Sequence, residues 1–302
     1  MASPKVPYSK PSLSVEQQIQ LLEDRGLLID DQDRANHYLS YIGYYRLSGY
    51  SRYFLGKGDR FVDGIDFDKV LDLYVFDRKI RVLIQDALER IEVAIKAALS
   101  NVGSDIGGPF WMCDPAHFDR GKHKSVLDIL DGALEEKNGS DRHLFLSHFR
   151  QKYTDERPPS WMVMEALSFG AVSKTFGVSR GSIQTATSKL FCVHRSILES
   201  WLHCLVYIRN LCAHHCRTWN RRFTIIPRIP NQDYLEWQPL GSVKLYTIAR
   251  IINDLMHVIA DGSAWNVRLR DLIRERPGVP LSAMGFPEDW EDNSAWRYEV
   301  GS

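Results

Sequence analysis

Between Asp66 and Ser100 apolar residues return every three or four positions: Val70, Leu73, Val75 with Phe76, Ile80, Leu83 with Ile84, Ala87 with Leu88, Ile91 and Ile95. A helix turning once per 3.6 residues puts such a series on one face, so the pattern predicts one long helix. Gly103–Pro109 ends it. The same periodicity predicts a helix in SVEQQIQLLEDRGL, with Ser14 as N-cap and Gly26 just past its end. A tyrosine-rich helical run, Asp30–Phe54, is punctuated by Gly43 and Gly49. Helices are expected over about 122–137, 141–153 and 160–176, the last entered through Pro158 and Pro159. Three more follow: about 194–216, SVKLYTIARIINDLMHVIADG, and SAWNVRLRDLIRER, which closes the folded part. Gly56–Gly64 reads as a turn or short hairpin. The chain is therefore expected to be all-α: an N-terminal helical extension over 1–65, a helical core over 66–276, and an irregular acidic tail over 277–302.

Composition narrows the class without naming a function. The 302 residues are 44% apolar and 25% charged, ordinary for a globular protein, with enough chain for a substantial core. Formal net charge is zero, so an electrostatic partner must be met by a local patch. The start, MASPKVPYSK, lacks the apolar core of a signal peptide, and no run approaches the roughly 18 apolar residues of a membrane span. Five cysteines, an odd number without framework spacing, fit a reducing compartment. A cytoplasmic protein without a membrane partner is the expectation.

The chemistry gathers in Tyr207–Arg222, YIRNLCAHHCRTWNRR, which holds two adjacent histidines, two cysteines and four arginines and no acidic residue. Cys212 and Cys216 lie four apart, on one face of a helix, and cysteine and histidine are zinc ligands. One helix usually offers a metal only such a pair, however. His214 projects elsewhere, and the remaining ligands would have to come from Cys192, His194 or Cys204, with no C-x-x-C to supply them. The expectation is no metal and no cofactor, with the cysteines buried as small apolar groups.

Helical spacing separates two stripes in this region. Leu198, Leu202, Leu205, Ile208 and Cys212 step by four and three as a core stripe, while Asn210, His214, Arg217 and Arg221 form another. Arg209 lies beside Asn210, about 140° around from His214. From Ser200 to Gln232 there are five arginines (Arg209, Arg217, Arg221, Arg222, Arg228) and no Asp, Glu or Lys. Such a run holds an anion or is a solvated basic face.

RNLCAH, Arg209 to His214, matches the R-x4-H signature of HEPN ribonucleases, including the polar residue after the arginine. Four further blocks occur in the same order. KPSLSVEQQIQLLEDRGLLIDDQDRANHYLSYIGYYRLSGYSRYF resembles the opening of the Abi-like abortive-infection family (the AbiD/AbiF group), and FDRKIRVLIQDALERIEVAIKAAL its long central helix. RPPSWMVMEALSFGAVSKTF resembles its Pro-Pro-x-Trp, Glu, Ser-Phe-Gly block, and RNLCAHHCRTWNR its terminal motif. The likeness spans roughly residues 10 to 275. It implies a bacterial phage-defence protein with a HEPN-like helical bundle, acting as a metal-independent endoribonuclease. On that resemblance His214 is the general acid/base, Arg209 the phosphate clamp and Asn210 a positioning hydrogen-bonder. Histidine titrates near neutrality, and arginine grips phosphate oxygens with a two-pronged fork. Arg217, Asn220, Arg221 and Arg222 would hold the RNA backbone. His215, about 100° around from His214, is either structural or a secondary RNA contact. Because HEPN nucleases commonly bring two motifs together and this chain offers one, a C2 homodimer is implied. Likeness to the AbiF group further implies a small noncoding RNA or other antitoxin that restrains the nuclease.

Other readings stay open. AVSKTFGVSRGSIQTATSKL has the form of a helix-turn-helix with Gly177 at the turn and Ser179 and Arg180 able to contact DNA. Two short core-packing helices account for it as well and are the preferred reading. The tyrosines between Tyr38 and Tyr53, interleaved with Arg46 and Arg52, suit core packing or base stacking. A non-catalytic RNA-binding module with the same fold is a third class.

Overall fold

The computed structural model describes residues 6–9, 11–135, 143–230, 237, 243–260 and 262–296. Twelve α-helices are described: α1 Val15–Asp24, α2 Gln32–Ile42, α3 Tyr44–Ser51, α4 Phe67–Gly107, α5 His123–Leu134, α6 Leu144–Lys152, α7 Ser160–Ala166, α8 Phe169–Val178, α9 Gly181–Lys189, α10 Arg195–Ala213, α11 Leu245–Ile259 and α12 Trp265–Arg274. No strand forms among the described residues. Pairing there is limited to three isolated bridges, Leu28 with Asp66, Leu55 with Phe61 and Phe118 with Ser179. The fold is all-α, and the expected hairpin at Gly56–Gly64 is one antiparallel bridge around a tight loop.

Local sequence explains most helix ends. Ser14 caps α1 through a capping box with Gln17, and the Asp31 carboxylate accepts from the Arg34 N–H at the start of α2. Gly43, with a φ of 87°, separates α2 from α3 in a conformation that glycine adopts without strain. The helix expected over 160–176 is instead two, α7 and α8. The Ser168 hydroxyl accepts from the Ala171 N–H and starts a new helix, which is the competition that short polar side chains offer to a continuing one. Toward the end of α4 a Cβ on Gly103 would lie 2.2 Å from the Trp111 ring, so glycine admits that buried indole against the helix.

The chain forms two compact units, one of residues 1–79 with 275–279, the other of 80–274 with 280–302. α4 supplies residues 67–79 to the first and 80–107 to the second. The units therefore do not divide at residue 65, where the sequence pattern changes. In the first unit, Ile19, Leu22, Leu39, Leu47 and Phe76 are buried, and the buried Tyr50 hydroxyl donates to the Asp77 carboxylate at 2.6 Å. Arg276 pairs with Asp72 at 2.7 Å and Lys79 with Glu275 at 3.1 Å, which ties segment 275–279 to the start of α4.

In the second unit α10 packs on α8 and α9. Its stripe, Leu198, Leu202, Leu205, Ile208 and Cys212, is buried as the spacing predicts, each aliphatic side chain contributing roughly 1.5–3 kcal/mol. The expected irregular tail is corrected. Residues 282–296 form three 3-10 turns and bury Met284, Phe286, Trp290 and Trp296. Asn253 on α11 donates to the Ala295 carbonyl at 2.7 Å. The acidic composition hid a set of aromatics that touch in series, Tyr246 with Phe286, Phe286 with Trp290, and Trp290 with Trp296.

Candidate active site

α10 ends at Ala213, not at Cys216, and the way it ends builds the site. The Cys216 N–H reaches back to the Leu211 carbonyl at 2.9 Å and the His215 N–H to the Cys212 carbonyl at 3.0 Å. This pair of bonds is a Schellman closure, with His215 in the left-handed position that glycine usually fills. Its φ is 55°. Histidine is among the few side chains that visit this region readily, yet the conformation still costs about 1 kcal/mol. Backbone satisfaction therefore gives His215 a structural role at the helix end.

The closure places Arg209, Asn210, His214 and His215 at one exposed helix terminus. Asn210 is the link. Its side-chain oxygen accepts from Arg209 Nη1 at 3.4 Å, and its backbone carbonyl accepts from the His214 N–H at 3.0 Å. Arg209 itself leaves the helix on a different face from Asn210, by about 100°. The expected stripe of Asn210, His214, Arg217 and Arg221 does not continue, because the helix stops before Arg217. Arg217, Asn220, Arg221 and Arg222 instead occupy the segment after the closure, where Asn220 also has a positive φ of 48°. Arg221 Nη1 donates to the Arg217 carbonyl at 3.5 Å, which links those two. No described carboxylate pairs with Arg209, Arg221 or Arg222.

Buried side chains then return the chain along α10. Thr218, Trp219 and Phe223 are buried, and Phe223 meets the Tyr207 ring edge-on at 6.3 Å. Farther back, the Ile225 carbonyl accepts from the Cys204 thiol at 3.6 Å. The Arg228 N–H donates to the Ser200 hydroxyl and the Trp201 indole N–H donates to the Arg228 carbonyl, both at 2.8 Å. Arg228 is thus locked by its backbone beside the middle of α10 while its side chain is exposed. A cavity of about 580 Å³ opens there, lined by Lys174, Glu199, Ser200, His203, Val206 and Arg228 among others. Apart from Arg228, which belongs to the acid-free run of arginines, the sequence pattern assigned no role to this set. The available signal was spacing, since His203 stands seven residues before Asn210, two turns up the same helix.

The cysteines are not arranged as a ligand cluster. Cys212 is buried, Cys216 half-buried, and burial pushes the Cys204 thiol up to about 12. Among the described residues no group of three or more His, Cys, Asp or Glu comes together in a way that could hold a metal ion. Nor is any described helix long and apolar enough to cross a membrane.

In the helix-turn-helix candidate one face of α9 packs into the core and Ser179 is buried, while Arg180 is exposed. The Ser179 hydroxyl is buried and donates to the Thr175 carbonyl at 2.7 Å, so it cannot face DNA. α9 buries Ile183, Gln184, Thr187 and Ser188, and the Gln184 amide donates to the carbonyls of Phe176 at 2.9 Å and Gly177 at 3.2 Å. In the first unit, Tyr41 and Tyr45 are largely exposed and Tyr50 is buried, so the tyrosine run divides between surface and core.

A family model described as Abi-like protein matches residues 37–220. That span runs from α2 through the helix closure, includes Arg209 to Asn220, and stops before Arg221, Arg222 and Arg228. No curated protein and no solved structure matches the chain.

Proposed function

The chain belongs to the Abi-like protein family, and we propose from this membership and from the end of α10 that it is a phage-defence endoribonuclease of HEPN type. The observation that carries the reading is the exposed Arg209–Asn210 side-chain pair with the exposed His214 one turn on, in a stretch with five arginines and no acid. An anionic polymer fits that surface, and a histidine beside an arginine fits its cleavage. His214 accepts the proton of an RNA 2′-hydroxyl. The 2′-oxygen then bonds to the adjacent phosphorus, and the 5′-oxygen leaves as it receives a proton. Arg209 holds the non-bridging oxygens, where charge builds in the transition state. Asn210 orients the Arg209 guanidinium.

The leaving 5′-oxygen departs on the side of phosphorus opposite the 2′-oxygen, away from the His214 that took the first proton, and needs a second acid there. A second copy of the chain, related by two-fold symmetry, brings a second His214 and resolves this. A cytoplasmic dimer restrained by a small noncoding RNA or other antitoxin follows from the same family reading. None of these steps needs a metal.

The test is cleavage of RNA by the purified protein. Products are expected to carry 2′,3′-cyclic phosphate and 5′-hydroxyl ends, and cutting is expected to persist in EDTA and to be lost in His214→Ala with RNA binding retained. Loss of cutting in EDTA with rescue by a divalent metal overturns the mechanism. RNA binding without any cutting reduces the protein to a non-catalytic RNA-binding module. Light scattering that finds an active monomer removes the dimer. Sequencing the nucleic acid that copurifies from the native host tests the restraining RNA.

A further inference from the structure

α10 carries a second polar stripe beside the one that leads to its core. Ser196, Ser200, His203 and Asn210 recur at four, three and seven residues, so they share one face of the helix. Seven residues turn 700°, only about 20° short of two full turns, and advance roughly 10 Å. His203 and Asn210 therefore look out in nearly the same direction. Asn210 is bonded to Arg209 through its side chain and lies one turn before His214, so the stripe runs toward the helix end that carries the proposed reacting group.

Two cavities lie along the first half of this stripe. The 580 Å³ cavity, between α8 and α10, holds Lys174, Glu199, Ser200, His203 and Arg228. A second of about 810 Å³ adjoins it, shares Ser196 and Arg228, and is lined by the part-exposed Val193, Ile197, Ile229 and Val258, with His194 and Asp254, whose carboxylate pairs with Arg250, also in its wall. Arg228 is common to both, and its backbone is fixed at each polar atom by Ser200 and Trp201. No described carboxylate pairs with Arg228 or Lys174. Two exposed cations that no described carboxylate pairs, one on a rigid backbone, flank a groove with a polar floor and a more apolar end. Phosphates want the first part and bases the second.

We propose that single-stranded RNA lies in this groove along α10, with its phosphates on Lys174, Arg228 and His203, and that the groove delivers the strand to His214. The inference rests on the ribonuclease reading for what happens at the end of the track, though not for the track itself. Glu199 lines the same cavity and repels phosphate. A duplex is a poorer occupant, because its paired bases cannot turn into the apolar end.

The experiment uses the full-length chain and a fluorescein-labelled 2′-O-methyl oligouridine, which keeps the RNA backbone but has no 2′-hydroxyl to be cut. Its affinity is measured against salt for wild type, Lys174→Ala/Arg228→Ala and Glu199→Gln, with circular dichroism melts to confirm folding. The double variant is expected to bind about tenfold more weakly, with a salt slope shallower by about two, since two phosphate contacts are gone. Glu199→Gln is expected to bind about two- to threefold more tightly, the size of one exposed charge effect. Cleavage of a dinucleotide, too short to reach the groove, is expected to be equal in wild type and the double variant. Wild-type affinity and slope in the double variant overturn the proposal, as does failure of the wild type to bind the oligouridine. Tighter binding of duplex DNA, lost in the double variant, overturns it in favour of a duplex reader. Loss of dinucleotide cleavage in the double variant also overturns it, because the cations then belong to the reacting centre. Groove-dependent binding with no cleavage by the wild type leaves the track standing and removes the nuclease reading.

Discussion

Arg250 and Arg222 carry the same guanidinium into opposite surroundings. Arg250, on α11, is 6% exposed; it donates to Asp254 at 2.9 Å and to Asn293 at 3.2 Å, and lies 5.1 Å over the Trp237 ring. Arg222 is exposed beyond the end of α10, and no described carboxylate pairs with it. Arg34, Arg157, Arg268 and Arg276 are also paired, each with an aspartate within 2.9 Å, but none of the four is buried. Burying a guanidinium costs several kcal/mol unless a carboxylate and further hydrogen bonds compensate, so a buried, paired arginine reports on architecture. An exposed one keeps its water and costs little. Several of them together, with no described carboxylate to pair them, make a local positive patch that suits an anionic ligand.

The sharpest way to break this comparison is to remove an arginine from each group. Arg209→Ala is expected to lower RNA cleavage by about 10³-fold, roughly 4 kcal/mol of transition-state stabilisation. Its stability should stay within about 0.5 kcal/mol of wild type in urea unfolding, as for an exposed side chain. Arg209→Lys should not restore the rate, because an ammonium lacks the fork. A rate within tenfold of wild type in Arg209→Ala would remove the clamp. Arg250→Ala is expected to do the reverse. It should cost about 3 kcal/mol by urea unfolding, since Asp254 and Asn293 each lose their bond to the guanidinium, while the cleavage rate per folded molecule is unchanged.

Smaller effects refine the second group. Arg222→Ala and Arg221→Ala should each weaken RNA binding by about 1 kcal/mol across sequences and reduce the salt slope by about one, measured by anisotropy titration. Unequal slopes would show that only one of them meets phosphate. The smallest effect separates structure from chemistry at the helix closure. His215→Val is expected to cost about 1–2 kcal/mol of stability, because a β-branched side chain resists the left-handed region. His215→Gly should be neutral or stabilising by under about 1 kcal/mol. If both variants keep cleavage, His215 acts through the backbone alone.

Much of the fold was legible because it is written locally. The three-and-four spacing in α4 and α10 named the buried residues, and Ser14 and Gly43 marked helix boundaries as their conformational preferences require. What escaped were competitions. Ser168 and the His215 closure each stopped a helix whose apolar pattern continued, because a hydrogen bond to a chain end outweighed one more turn. The last segment escaped for another reason. Its acidic residues suggested solvent, yet Phe286, Trp290 and Trp296 pack around Tyr246, so four aromatics decide where the segment goes.

By itself the sequence determined which groups are present and how helices would space them: the all-α class, the core stripe of α10, the acid-free run of arginines, and the order Arg209, Asn210, His214. Only the tertiary structure decided which of these groups meet. The turn at His215 took Arg217 and Arg221 off the helix and sent the chain back on itself. Buried Trp219 and Phe223 then set the return path, and bonds to Ser200 and Trp201 fixed Arg228 twenty-eight residues away from Ser200 in sequence yet beside it in space. Helical periodicity describes neighbours three and four apart. Contacts across a reversal depend on where a turn falls and what it buries, which is a property of the packed chain.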